Sequence, residues 1–348
     1  MPQTAADPDG GREMEEWTAA LRAGDFGRAW AISDVSLARL RRRSPAKHEG
    51  PRHQQRIWRG EALGGRTVLV RCYHGLGDTI QFIRFARPLR AIARRVVVWC
   101  QGELVSLISG VAGVDLALPL HDGVPEVGFD VDIEIMEIPH AIRATRDQVT
   151  MRHPYLQPPT PGPQNVRQAG RLSIGLVWQT SAWDVRRSFP VHELRPLALP
   201  GAQLYSLQIG EAAQDAGSIG AIDISVPDLA RLAGRLRALD LVICPDTMVA
   251  HLAAALGCQT WIVLPADCDW RWPDRGSRTL WYPTVRLFHQ EPDSNWHGVF
   301  EEVGQALASY LKRWRSVRAG PALPPPSSPV ERDGEMPAAA GASADSRG

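Results

Sequence analysis

Two short apolar runs, Leu239-Asp240-Leu241-Val242-Ile243-Cys244 and Thr260-Trp261-Ile262-Val263-Leu264, flank a Pro245-Asp246-Thr247 turn and a stretch of small residues. Runs of this length bounded by turn residues read as buried strands, and the stretch between them reads as a helix. Strand, helix and strand in that order belong to an α/β sheet. At the turn an acid and a hydroxyl meet His251, a little over one helical turn further on, where the strand gives way to the helix. Ligands of open α/β sheets sit outside the carboxyl ends of the strands, and a helix N-terminus there offers free N–H groups to an anion. The turn is therefore a candidate anionic-ligand site. The run Ala253-Ala254-Ala255 lets its helix pack closely on the sheet.

The same alternation extends along most of the chain. Residues 67–72 read as a strand, 79–93 as a helix and 95–100 as a strand, forming a βαβ unit. Residues 130–135 alternate acidic with apolar side chains, which suits a strand exposed on one face. Residues 154–163 are proline-dense and mark a linker. Beyond it, strands at 172–178, 203–208, 221–223, 239–244 and 260–264 alternate with helices at 194–199 and 228–239. The expected fold is α/β, with a first domain at 61–160 and a second at 161–316 facing it across a cleft between carboxyl edges. Within 14–60, Trp17, Leu21, Phe26, Ala29, Trp30, Ile32 and Leu37 recur at helical spacings and give one short helical pair. Residues 1–13 and 317–348, rich in Pro, Gly, Ala and Ser, are expected to be disordered.

Composition removes several function classes. The 39 basic and 38 acidic residues leave a net charge of +1, so nothing global points to nucleic acid or another polyanion. Lysine occurs only at Lys47 and Lys312, so any phosphate grip must use arginine or backbone. The five cysteines are odd in number, scattered and without a CxxC pair, and read as reduced core residues. There is no signal-peptide pattern and no run approaching the ~20 apolar residues of a membrane span, so a cytoplasmic location is expected. No cluster has metal-ligand spacing, so no tightly held metal is expected.

A second turn carries chemistry at the end of the first strand. In His74-Gly75-Leu76-Gly77-Asp78-Thr79, Gly75 and Gly77 permit a tight turn and close backbone approach. The third glycine of a dinucleotide fingerprint is missing, Gln81 lying in that stretch, and no Gly-Lys-Ser/Thr follows, which excludes a P-loop. Asp78 is either the N-cap of a helix starting at Thr79 or a general base at the mouth of the cleft. Asp246 and Thr247 either cap their helix or leave its first amides free for a diphosphate, with the Thr247 hydroxyl donating. His251 is either an ordinary helical histidine or a member of that site. Arg186, Arg187 and Ser188 follow the second domain's first strand and are either surface residues or a phosphate clamp. Trp270, Trp272, Trp281, Tyr282 and Trp296 either stack a base or sugar or pack the closing helix.

Together the two turns resemble those of glycosyltransferase family 9, the bacterial lipopolysaccharide heptosyltransferases. The resemblance rests on Gly77-Asp78 and on Asp246-Thr247-x-x-x-His251-x-Ala-Ala-Ala-Leu. It is similar still more closely to the branch of that family fused to tetratricopeptide repeats. That likeness lies in Gly75 to Phe82, Gly175-Leu176-Val177-Trp178, Ser206-Leu207-Gln208, Asp269-Trp270-Arg271-Trp272 and the segment from Trp281 to Phe288. It spans roughly 58–311, and the helical pair before it would be a remnant of the repeat array.

The resemblance implies the glycosyltransferase B fold, with two Rossmann-like domains. It also implies a nucleotide-diphosphate sugar as donor substrate, no cofactor, and metal-independent inverting hexosyl or heptosyl transfer to a glycan, lipid-linked or protein acceptor. Asp78 matches the family's base. Asp246, Thr247 and His251 match its donor-binding turn, and Arg187 falls where the family carries a phosphate-binding lysine. The quoted motifs add Gly75, Gly77, Thr79, Gln81, Trp178, Ser188 and Gln208 as substrate-binding candidates. Met248 departs from the pattern by standing where the family has glycine. A catalytically silent binding or assembly protein, or a nucleotide-sugar epimerase, would fit the same scaffold.

Overall fold

The computed structural model describes residues 8–43, 57–150, 154–159, 161–162, 166–180, 184–292 and 295–319. A helical pair, α1 (Pro8–Ala23) and α2 (Phe26–Arg43), precedes the first sheet unit. That unit comprises β1 (Thr67–Arg71), α3 (Leu76–Phe82), α4 (Ala86–Ile92), β2 (Arg95–Cys100), α5 (Val105–Ile108), β3 (Leu116–Pro119), β4 (Val131–Glu134), α6 (Ile138–Ala141) and α7 (Arg146–Val149). The second unit comprises β5 (Leu172–Leu176), β6 (Ala202–Ser206), β7 (Ile222–Asp223), α8 (Leu229–Ala238), β8 (Leu241–Pro245), α9 (Met248–Ala255), β9 (Thr260–Leu264), β10 (Val285–His289) and α10 (Trp296–Ala319).

Both sheets are parallel, with strand orders β3-β2-β1-β4 and β10-β9-β8-β5-β6-β7. β1, β5, β6, β8 and β9 are buried along their whole length, as strands of a parallel sheet covered on both faces are. One continuous core joins the helical pair, the first unit and the face of the second sheet that carries α8 and α9. The opposite face of that sheet packs on α10 through Phe300, Val303 and Leu307.

Several expectations change. The stretch expected to be one helix at 79–93 is two, α3 and α4, with a 3-10 turn at Ile83–Phe85 between them. Pro88 explains the break, because it has no N–H for the Arg84 carbonyl and its ring crowds the preceding turn. The strand expected to be exposed on one face, β4, is buried on both. Its Asp132 is fully buried because Arg71 of β1 meets it at 3.0 Å, so the acid alternation reflects pairing rather than exposure. The helix expected at 194–199 is a 3-10 turn, Val191–Leu197, with Pro196 inside it. α1 begins at Pro8, inside the stretch expected to be disordered, since proline at the first helical position lacks only an N–H that has no partner there. The expectation of disorder for 1–7 and 320–348 lies outside the described residues, and α10 continues to Ala319.

The helical pair bridges both units. On one side Trp17 packs against Trp270 at 5.1 Å between ring centroids, and Arg22 binds the Cys268 carbonyl at 3.2 Å and the Asp274 carboxylate. On the other, the Trp30 indole donates to the Ala144 carbonyl at 2.9 Å, and Asp34 meets His140 and Arg143, each at 2.9 Å. A groove of about 450 Å³ follows this second seam and contains none of the candidate site residues. All five cysteines are free and buried, as expected. Burial pushes the Cys100 thiol up to about 12 and those of Cys258 and Cys268 to about 11.

Candidate functional site

In the second sheet the chain runs from β5 outward to β6 and β7, then returns to β8 on the other side of β5. The strand order reverses between β5 and β8, and loops leaving the carboxyl ends of strands at such a reversal open a crevice. The loop after β5 carries Arg187, and the turn after β8 carries Asp246 and Thr247. Arg187 Nη1 donates to the Asp246 carbonyl at 2.8 Å and stands 3.8 Å from its Oδ2. Burial pushes the Asp246 carboxyl up, but the His251 ring and the charge of Arg271 outweigh it and hold the group below the usual carboxylate range. His251 Nε2 lies 3.5 Å from Asp246 Oδ1, and its Nδ1 is 2.9 Å from the Tyr282 hydroxyl. The ring also stacks on Trp272 at 5.7 Å.

Thr247 occupies the N-cap position of α9 without capping it by its side chain. Its Oγ1 is buried and has no hydrogen-bond partner, and neither does Arg187 Nε. An uncapped helix start beside a guanidinium and an unpartnered hydroxyl has the character of an anion site. The cap alternative for Thr247 is thereby removed.

In the first sheet the chain runs from β1 to β2 and β3 on one side and returns to β4 on the other, so the reversal falls between β1 and β4. The segment after β1 holds His74, Gly75 and Asp78. Helix α3 starts at Leu76 with Gly75 as N-cap, so Asp78 is the third helical residue and not the cap. Its Oδ2 accepts the Gly75 N–H at 3.0 Å, the acid's half of a capping box. Its Oδ1 accepts from Arg271 Nη2. Arg271 also donates to Gln81 Oε1 at 2.7 Å and to Asp269 Oδ1 at 2.9 Å.

Across the reversal from Asp78, Glu134 ends β4, in register with Arg71 of β1. Its Oε2 accepts the Met136 N–H at 2.8 Å and stands 3.8 Å from His74 Nε2, while its Oε1 is buried and unpartnered. Burial pushes its carboxyl up to about 7, helped by the charges of Glu137 and Asp78 and opposed by the Met136 N–H and Arg71.

The two edges meet directly. A Cβ on Gly77 would lie 3.0 Å from His251 Cδ2 and 3.6 Å from Met248 Cα, so only glycine lets the starts of α3 and α9 approach this closely. Arg271, on the loop after β9, crosses to Asp78 and also acts electrostatically on Asp246. Asp78, Gly75, Gly77, Gln81, Arg187, Asp246, Thr247 and His251 thus gather at one interface.

The remaining candidates build the loops around it. Thr79 Oγ1 donates to Gln101 Oε1 at 3.0 Å within the first unit. Ser188 Oγ accepts the Thr180 N–H at 2.9 Å. Gln208 Oε1 holds the N–H groups of Trp178 and Gln179 at 3.1 and 3.0 Å, and the Trp178 ring belongs to the core under α10. Arg186 turns outward to Asp184 and Asp267. The aromatic residues pack: Trp270 and Trp281 on Phe82, Trp272 and Tyr282 on His251, Trp296 on Phe189. Arg271 and Glu134 lie at these edges without having been among the candidates read from the sequence. Arg271 lies within a quoted motif, and Glu134 is the acid at the carboxyl end of an expected strand.

Two parallel α/β units whose carboxyl edges face each other define the glycosyltransferase B-like fold class. The crystal structure of a glycosyltransferase family 9 protein from Veillonella parvula superposes with a TM-score of 0.53 at 11% identity, covering 73% of this chain and 99% of that one. The ADP-heptose lipopolysaccharide heptosyltransferase II of E. coli gives 0.49 at 13% identity, covering 70% and 99%. In sequence the chain is 25% identical over 334 residues to Protein FlbA of Caulobacter vibrioides, covering 84% of this chain. It spans about half (54%) of that relative's length. No protein-family model matches the chain.

Proposed function

We infer that the chain moves a sugar from a nucleotide-diphosphate donor to an acceptor hydroxyl, with inversion and without a metal. The observation that carries this is the uncapped start of α9, with Arg187 and the unpartnered Thr247 hydroxyl beside it, pressed against the carboxylate-bearing edge of the first sheet. The α9 amides, Thr247 and Arg187 bind the diphosphate and neutralise it as it leaves. Asp246 and His251 hold the turn in shape, and a carboxylate of the first edge takes the acceptor's proton. Arg187, beside the uncapped start of α9, supplies positive charge for that neutralisation. Among the described residues no helix is long and apolar enough to cross a membrane. Helices α1 and α2 suit the last pair of a tetratricopeptide array.

Calorimetry against a panel of nucleoside diphosphates tests the donor site. Binding is expected for at least one, with Arg187→Ala weakening it about 10- to 100-fold, the loss of one or two charge-assisted hydrogen bonds. If no nucleoside diphosphate binds, the donor site is wrong. A second reading, a binding protein without transfer, is favoured by the Arg271–Asp78 pair, which occupies the carboxylate that the family resemblance assigns as base. Binding of a nucleoside diphosphate with no consumption of any nucleotide sugar would select it.

A further inference from the structure

Asp78 is poorly placed to receive a proton. One oxygen holds the Gly75 N–H at 3.0 Å, and the other is bound to Arg271. Both oxygens of Asp78 are therefore already engaged, one by backbone and one by a guanidinium. Glu134 is arranged in the opposite way. Its Oε2 anchors the side chain on the Met136 N–H, leaving Oε1 without a hydrogen-bond partner at the strand-order reversal of the first sheet. The groups around it come from each neighbouring element: Arg71 from β1, Cys72, His74 and Asp78 from the segment after β1, and Glu137 from the following turn. Arg71 turns its Nη2 to Asp132 at 3.0 Å and makes no hydrogen bond to the buried Oε1.

We propose that Glu134, not Asp78, takes the proton from the acceptor hydroxyl, while Asp78 positions Arg271 at the contact between the two sheet edges. This rests on the transfer reading above. In the step, the acceptor oxygen forms a bond to the anomeric carbon as its proton passes to the Glu134 carboxylate. The bond from that carbon to the diphosphate oxygen breaks, and its electron pair leaves with the nucleoside diphosphate. Glu134 returns the proton to water. His74, exposed and 3.8 Å from the Glu134 carboxylate, lies on the route by which that proton reaches solvent.

A carboxyl that titrates at about 7 is a base only above neutrality, so the rate should rise through pH 7 and level off beyond it. The test measures nucleoside diphosphate released from a panel of nucleoside-diphosphate sugars, with water as acceptor, between pH 5 and 9. Glu134→Gln keeps an oxygen for the Met136 N–H, so its fold and its affinity for nucleoside diphosphate should match wild type. Its turnover should fall by about 100-fold or more, and the rise through pH 7 should disappear. Asp78→Asn should be slower while keeping that rise. If Glu134→Gln retains the wild-type pH profile, or Asp78→Asn loses it, Glu134 is not the proton acceptor. If the wild-type protein consumes no donor, the transfer reading fails, and this assignment fails with it.

Discussion

Arg84 is 1% exposed, and neutral groups answer its charge. Its guanidinium donates to the carbonyls of Gln81, Trp281 and Val149 at 2.7, 2.6 and 3.1 Å, and to the Tyr155 hydroxyl at 3.1 Å. It also lies over the rings of Tyr155, Trp281 and Tyr282. Replacing it with methionine leaves those carbonyls unsatisfied in the interior, and should cost roughly 3–5 kcal/mol in denaturant unfolding. Lysine should restore little, because a point charge cannot span four diverging acceptors. Glu134 gives a prediction of opposite sign. Its folded pKa of about 7 is above the unfolded value near 4.5, so the folded state binds the extra proton and stability falls as pH rises from about 4.5 to 7. Glu134→Gln removes that slope. The variant should gain up to about 3 kcal/mol over wild type above pH 7 and nothing below pH 4.5, which thermal melts across that range would show.

At the scale of elements, the helical pair controls the loop that supplies Arg271. Trp17 and Arg22 of α1 hold Trp270, Cys268 and Asp274, the neighbours of Arg271 on either side. Trp17→Ala should therefore lower the melting temperature by several degrees and weaken protection of the 268–274 amides in hydrogen exchange. Unchanged exchange there would show that the loop holds itself. Most elements were legible because strands such as Val96-Val97-Val98 announce burial through their composition. What failed was context. The alternation in β4 could not reveal that Arg71 lies beside Asp132 to neutralise it. Neither β3, short and ending in Pro119 at a sheet edge, nor β10, interrupted by Arg286, carried a strand pattern. The break before Pro88 was readable in principle, because the proline is there in the sequence.

For the whole molecule, one core cluster passes from α1 and α2 through the first unit into the α8/α9 face of the second. Such continuity should make the two units unfold together, giving a single calorimetric transition; two resolved transitions would mean the interface adds little. The sequence located both turns of the site but not their closeness, since the fit of Gly77 against His251 depends on how two folded units are mutually oriented. The same limit hid Arg271, whose partners Asp78 and Gln81 lie nearly two hundred residues away in sequence.

The buried thiols give this arrangement a clock. Cys72 and Cys100 report on the first unit, Cys244 and Cys258 flank α9, and Cys268 sits under the Arg22 contact. Each is hidden and its thiol is raised well above neutral pH, so an alkylating reagent reacts only when its surroundings open. Labelling rates read by peptide mass would then time the opening around each thiol in the unaltered chain, and a ligand bound where the two edges meet should slow them unequally.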